Sequence, residues 1–215
     1  MKYYCPTASS MLDKPIEWGV ITEYRRWGKK PIEEGRRWIA DNGCFKDNWN
    51  KHKWLYWLFG MAEHIETCDF AVLPDVVGNH LKTMQLYGEF YQQVKDMGYR
   101  VAFVCQDGCV PQGIPPCNAI FIGGSTEWKM GLKARECISE GKRRQVWIHV
   151  GRINSAKRYA YFLLQGIDSF DGTSYCFAPK KVGKEIENYM KMEPLKLNYD
   201  VDNICPECGQ KKEAT

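Results

Sequence analysis

The feature that most constrains the fold is a regular alternation of short apolar segments and amphipathic stretches between residues 36 and 178. The apolar segments are rich in β-branched and aromatic residues, which predicts strands at 37–41, 69–75, 100–106, 119–124, 145–151 and 167–172. The stretches between them predict helices at about 50–66, 79–97, 127–141 and 154–165. This alternation is typical of a parallel sheet covered by helices.

Two apolar segments near the N-terminus, at 2–8 and 19–24, bring the predicted strands to eight. Eight strands predict an α/β fold in the form of a compact (β/α)8 TIM-type barrel, although such barrels typically have about 250 residues. An open doubly wound sheet fits the same periodicity and remains an alternative. We expect one barrel domain over 1–200, followed by a C-terminal tail at 201–215.

Composition bounds the partners of the chain. Its opening has no apolar run of signal-peptide length, and no later apolar run reaches the roughly 20 residues that a membrane helix needs. We therefore expect a cytoplasmic protein without a membrane partner. The net charge is only +4, but the basic residues cluster at 24–30, 35–37, 141–144, 156–158 and 179–184. With eight Trp and twelve Tyr, these clusters are either solvated faces or a nucleic-acid surface.

Polar residues follow the predicted strands, where the reactive groups of a parallel barrel lie. An Asp after a strand often caps a helix, and a Gly-Gly pair often forms a tight turn, so each residue alone has a structural explanation. His149 within its strand is interpreted as a core or rim residue. The functional hypothesis depends on the combination: Asp41, Asp75, Gln106, Gly123, Gly124, His149, Arg152, Asp168 and Asp171.

Read in order, this combination resembles the tRNA-guanine transglycosylase family over about residues 36–178. The segment ADNGCF (40–45) is similar to the family's Asp-Ser-Gly-Gly-Phe element, and VCQDG (104–108) to its Val-Gln-Gly-Gly element. LPDVVG (73–78) stands where the family carries a base-reading Asp, and FIGGSTEW (121–128) resembles the segment that closes over the base. GIDSFDG (166–172) is the most specific match, because its spacing is that of the family's nucleophile element.

The resemblance implies two catalytic aspartates. Asp171 matches the covalent nucleophile, and Asp41 matches the general acid/base near the nucleobase. The chemistry agrees, since cleavage of an N-glycosidic bond develops positive charge on the sugar that one carboxylate can stabilise and then capture. A second carboxylate must transfer protons to and from the base.

The resemblance also implies a substrate-binding set. Asp75 and Gln106 would hydrogen-bond the Watson-Crick edge of a purine, a backbone group of the Gly-Gly turn would read its carbonyl, and an aromatic ring would stack on the base. Trp128, beside that turn, is a further candidate for contact with the nucleotide. The predicted set is Asp75, Gln106, Gly123, Gly124, Phe45 and Trp128.

The ten cysteines carry no secretory context and are interpreted mainly as reduced core residues. Cys205 and Cys208 form Cys-x-x-Cys followed by Gly, which is half of a zinc-binding pattern. The closely spaced cysteines and later His of the family's zinc site are absent after Asp171. We therefore expect any zinc to be bound by Cys176, Cys205 and Cys208, and we expect no organic cofactor.

The resemblance is greatest to the small 7-deazaguanine transglycosylases of phage and bacterial DNA modification. It implies a pentosyltransferase that exchanges guanine in DNA for a free 7-deazaguanine base. The alternatives are a DNA glycosylase that uses water as the acceptor, a base exchanger that acts on tRNA, and a non-catalytic nucleic-acid-binding barrel.

Overall fold

The computed structural model describes residues 1–6, 14–26, 29–45 and 48–191. Eight parallel strands close into a barrel in which each strand pairs with its neighbours in sequence and the last pairs with the first. The strands are β1 (Lys2–Pro6), β2 (Gly19–Thr22), β3 (Trp38–Ala40), β4 (Cys68–Val72), β5 (Val101–Cys105), β6 (Ala119–Ile122), β7 (Trp147–Val150) and β8 (Ser169–Asp171). The (β/α)8 prediction is confirmed, and the open sheet is excluded.

Helices surround the barrel, and most of them follow a strand. They are α1 (Lys30–Glu33), α2 (Lys51–Met61), α3 (His80–Asp96), α4 (Thr126–Met130), α5 (Leu132–Arg143), α6 (Ala156–Leu164), α7 (Ser174–Phe177) and α8 (Pro179–Lys191), with 3-10 turns at Ala62–Thr67 and Pro111–Gly113. The sequence did not predict α1, α7 or α8. The helix expected at 127–141 is two helices that meet at Gly131, whose extended backbone cannot continue a helix.

Alternate strand residues build two separate cores. The residues that point into the barrel form a small cluster: Tyr4, Ile21, Ile39, Phe70, Val72, Ala102, Val104 and Ala119. The residues that point outward pack against the helices in a larger cluster, which includes Trp38, Trp54, Phe103 and Cys105. The interior layer fills the barrel, so any pocket must lie above it at one end.

The strands are shorter than predicted because the chain turns into the next loop within one or two residues of the last ladder pair. Asp41 and Gln106 are therefore the first residues after β3 and β5, whereas Asp171 is the last residue of β8. These three residues lie at the same end of the barrel, since all the strands are parallel. Within the described ranges, no helix is both long and apolar enough to cross a membrane.

Candidate active site

A pocket of about 330 Å³ opens at the C-terminal ends of the strands. Its floor is the top of the interior core, formed by Ile21, Val72 and Val104, with Phe121 beside them. The polar part of its lining comes from the ends of separate strands and the loops that follow them: Glu23, Arg25, Asp41, Asn42, Asp75, Gln106, Arg152 and Asp171. The structure thus brings together both predicted catalytic aspartates and both predicted base-reading side chains.

Asp171 is held by donors from the end of β7. Its Oδ1 accepts the backbone N–H of Arg152 at 3.0 Å, and its Oδ2 lies 3.0 Å from Nε2 of His149. The side chain of Lys129 is also buried nearby, where its ammonium donates to the carbonyl of Gly151. Burial, more than the charge of Arg152, lowers the pKa of Lys129 to about 7, while the charge of Asp171 acts in the opposite direction. Asp171 therefore sits among hydrogen-bonding groups, with the titratable amine of Lys129 nearby.

The proton on His149 can be assigned from a chain of donors. The indole N–H of Trp147 can only donate, and it donates to Oγ of Ser169 at 2.6 Å. The Ser169 hydroxyl lies 2.8 Å from Nδ1 of His149, so its own proton is free to bond that nitrogen. Because an ionised carboxylate can only accept, the proton between His149 and Asp171 lies on Nε2 when Asp171 is charged. His149 is completely buried, and its ring packs against Phe121 with centroids 4.6 Å apart.

The backbone of Arg152 is strained in a way that serves the site. Its φ is 62°, a left-handed conformation that costs a non-glycine residue of order 1 kcal/mol or more. In that conformation its N–H reaches Asp171, and its guanidinium donates to the carbonyl of Gly124 at 2.5 Å. Gly151 precedes it because a Cβ there would lie 2.5 Å from the ring of Phe121. The loop after β7 is thus shaped around the carboxylate.

Asp41 has the opposite surroundings. It is half-buried, and burial raises its pKa to about 7, with further increases from the charges of Asp171, Asp75 and Glu23. The backbone N–H of Asn42 acts in the other direction without cancelling this effect. Asp41 can therefore exchange a proton near neutral pH, which is the property expected of a general acid/base.

Asp75 is fixed by two amide side chains. Asn42 donates to its Oδ1 at 2.6 Å, and Gln106 donates to its Oδ2 at 2.5 Å. Burial nevertheless raises the pKa of Asp75, although both of these hydrogen bonds lower it. Gln106 is itself fixed, because its Oε1 accepts the backbone N–H groups of Gly78 and Gly124. Each oxygen of Asp75 keeps a lone pair that can accept from a ligand in the pocket.

The other predicted binding residues occupy different places. Gly123 lines the pocket, whereas both backbone groups of Gly124 are already engaged, its N–H by Gln106 and its carbonyl by Arg152. Phe45 lies at the mouth with 65% of its surface exposed, and the guanidinium of Arg152 stacks over its ring at 4.7 Å. Trp128 packs behind the turn against Gly124, and the described lining of the pocket does not include it.

The predicted metal residues are only partly described. Cys176 is exposed, close enough to Cys5 to hydrogen-bond it, and Cys205 and Cys208 lie outside the described residues. A different group of potential ligands occurs away from the pocket, where three cysteines are buried together: Cys105, Cys109 and Cys137.

Several residues that shape the site were not predicted for this role. Asn42 directly follows the strand predicted at 37–41, and Glu23 lies within the strand predicted at 19–24, so position alone is a weak signal for either residue. His149 was interpreted as a core or rim residue. It is buried, yet it also contacts Asp171, because the register between β7 and β8 pairs it with Ser169. No sequence pattern gives that register.

Comparisons with known proteins bear on the fold. No protein-family model matches the chain, and no curated protein matches it. Among solved structures, 3-hexulose-6-phosphate synthase from Salmonella typhimurium matches with a TM-score of 0.54 and 15% identity, over 88% of this chain and 97% of that chain. RipC from Yersinia pestis matches with a TM-score of 0.48 and 8% identity, over 87% and 93%. The likeness to the synthase, at this identity, extends to the fold alone, and that fold is the (β/α)8 barrel.

Proposed function

We propose that this protein is a nucleobase transglycosylase that exchanges guanine in DNA for a 7-deazaguanine through a glycosyl ester on Asp171. The observation that carries the proposal is the pocket itself. Side chains at or just beyond the ends of four separate strands meet there: Asp41, Asp75, Gln106 and Asp171. Its volume of about 330 Å³ is at the small end of the range for small-molecule sites, as suits a single extruded base.

The two halves of the reaction use the two aspartates in turn. In the first half, the Asp171 carboxylate bonds C1′ of the sugar, the C1′–N9 bond breaks, and protonated Asp41 gives its proton to the departing guanine. In the second half, Asp41 takes the N9 proton of the incoming 7-deazaguanine. That nitrogen then bonds C1′ and releases Asp171. A pKa of about 7 suits Asp41 to both transfers.

Recognition of the base follows from the acceptors on Asp75. Guanine and 7-deazaguanine both present donors at N1 and the exocyclic amine, which match a buried carboxylate with free lone pairs. Asn42 and Gln106 fix the orientation of that carboxylate before a base arrives. Phe45, exposed at the mouth, supplies a face for stacking.

A second groove supports a polymeric substrate. It has a volume of about 900 Å³ and adjoins the pocket, because Arg25 lines both. Its lining combines cations with aromatic rings, including Lys29, Lys53, Tyr56 and Trp57. Such a surface suits a nucleic-acid strand, because phosphates pair with the cations and bases stack on the rings. DNA must present its target base outside the stack for the C1′ carbon to be reached.

The test is to incubate the full chain with guanine-containing DNA or RNA, with and without a 7-deazaguanine base, and to analyse the nucleosides by mass spectrometry. In the presence of the free base, we expect the deazaguanine nucleoside to appear in DNA and guanine to be released; without it, we expect no net exchange. Asp171→Asn should abolish the exchange, whereas Asp96→Asn, at an exposed position on α3, should not. Release of guanine without exchange would identify a glycosylase, and exchange in RNA alone would overturn the DNA assignment. No reaction on either polymer would favour a non-catalytic barrel.

The groove has its own control. Lys53→Glu should weaken DNA binding and make it less dependent on salt, because one phosphate contact is lost. Lys142→Glu reverses a charge at the other end of the barrel, beside Gly166 in the loop that precedes β8. Equal effects of the two substitutions would contradict the role of the groove.

A further inference from the structure

Three cysteine thiols form a cluster outside the pocket, and the proposed reaction does not use them. Cys105 ends β5, Cys109 lies in the loop that follows, and Cys137 lies on the inner face of α5. All three are completely buried. Their sulfur atoms lie within 4.8 Å of one another, so strand, loop and helix converge on one small volume.

The spacing of these sulfur atoms fits a metal better than a disulfide. Sγ of Cys137 lies 3.9 Å from Sγ of Cys109. Disulfide sulfurs are about 2.05 Å apart, whereas two thiolates on a tetrahedral zinc with Zn–S bonds of about 2.3 Å are separated by about 3.8 Å. The distance between the Sγ atoms of Cys109 and Cys137 is thus close to that between two thiolates on one tetrahedral zinc.

His80 is the candidate for a fourth ligand, and its ring nitrogens lie more than 4.8 Å from at least one of the three sulfur atoms. His80 begins α3 and packs against the loop that contains Cys109. A Cβ added at Gly108 in that loop would lie 3.6 Å from the Cβ of His80. Its Nδ1 is buried and, among the described residues, has no hydrogen-bond partner. The charges of His80 and Cys137 are close enough to influence each other. A buried imidazole nitrogen without a partner among the described residues is available to complete a Cys3His site once the side chain turns toward the sulfur atoms.

The geometry points to a structural zinc site formed by Cys105, Cys109 and Cys137, with His80 as the fourth ligand. Binding replaces the three thiol protons, which are released to solvent, and leaves a neutral imidazole on the metal. This site differs from the one that the C-terminal Cys205 and Cys208 would form.

The metal would fix the loop that carries the base-reading machinery. Gln106 lies between two of the ligands in sequence, and it holds Asp75. Asp107, also between them, accepts hydrogen bonds from the backbone N–H and the hydroxyl of Ser125, and its carbonyl accepts from the backbone N–H of His80. Zinc would therefore connect β5, α3 and α5 behind the loop that carries Gln106.

The experiment measures metal rather than activity. The full chain is purified, loaded with Zn²⁺ and, separately, with Co²⁺, and its metal content is measured after removal of loosely bound ions. We expect one equivalent of metal at this site, retained in a Cys205→Ser, Cys208→Ser double variant, and the cobalt form of that variant should have the intense visible bands of a tetrahedral thiolate site. Cys137→Ser should lose the metal, whereas Cys117→Ser, a half-buried thiol outside the cluster, should retain it.

Two measurements guard against a variant that fails to fold. X-ray absorption at the zinc edge of the Cys205→Ser, Cys208→Ser variant should count three sulfur ligands and one nitrogen ligand. His80→Ala should change the cobalt spectrum and weaken binding. Absence of metal from the parent chain, its loss with the tail cysteines alone, or a disulfide among the three thiols would overturn the proposal.

Discussion

The carboxylates at the ends of β8 and β3 line the same pocket in contrasting surroundings. Asp171 accepts from the backbone N–H of Arg152 and lies against His149, and its charge acts on the buried amine of Lys129. Asp41 has carboxylates as its charged neighbours, and together with burial they raise its pKa to about 7. One aspartate is thus equipped to stabilise positive charge and the other to carry a proton. Environment, rather than residue type, separates the two roles.

The largest effect should come from Asp171→Asn. The amide keeps the size of the side chain but removes the charge that stabilises the oxocarbenium-like sugar and the oxygen that bonds it. We expect base exchange to fall by several orders of magnitude, while DNA binding survives. Single-turnover assays and a binding isotherm on the same preparation separate the two effects. A loss of binding equal to the loss of rate would remove the contrast between the aspartates.

Asp41→Asn should reduce exchange by about 10²- to 10⁴-fold, the usual range for loss of a general acid/base. In the parent enzyme, the rate of guanine release should fall as the pH rises through about 7, because the protonated form of Asp41 disappears. The variant should lack that limb of the pH profile. An unchanged pH profile in Asp41→Asn would show that another group transfers the proton.

His149 tests how Asp171 is held. His149→Phe removes a hydrogen bond to a charged group, which contributes about 1.5–3 kcal/mol, so we expect a 10- to 100-fold loss of rate. His149→Gln can return an N–H toward Asp171 and should recover part of that loss. If both variants are equally impaired and equally destabilised in thermal unfolding, His149 is a packing residue only.

A further effect concerns stability rather than rate. The pKa of Asp41 is near 3.8 in the unfolded chain and about 7 in the folded one, so its contribution to stability is complete below about pH 4 and is lost as the pH rises to about 7. The loss amounts to at most about 1.4 kcal/mol per pH unit. Asp41→Asn should therefore gain stability relative to the parent between these limits, with no further gain above. Urea denaturation at several pH values measures the difference, and a constant difference would contradict the raised pKa.

Sequence patterns predicted the barrel and the residues that lie near the C-terminal ends of its strands, because both follow from local periodicity and parallel topology. They could not predict the contact of His149 with Asp171, which depends on the register of β7 against β8. The left-handed backbone of Arg152 was equally hidden, because that conformation is imposed by its neighbours. The thiol cluster joins residues as far apart as Cys105 and Cys137, and only the packing of α5 on the barrel brings them together.

The most direct test of the two-aspartate site is capture of the glycosyl-enzyme. The enzyme is mixed with guanine-containing DNA without a second base, stopped under denaturing conditions and analysed by intact and peptide mass spectrometry. We expect a covalent adduct whose mass is that of the DNA minus guanine, attached to Asp171, absent from Asp171→Asn and retained in Asp41→Asn. An adduct on another residue, or release of base by Asp171→Asn at the parental rate, would contradict the assignment of the nucleophile and the transglycosylase proposal with it.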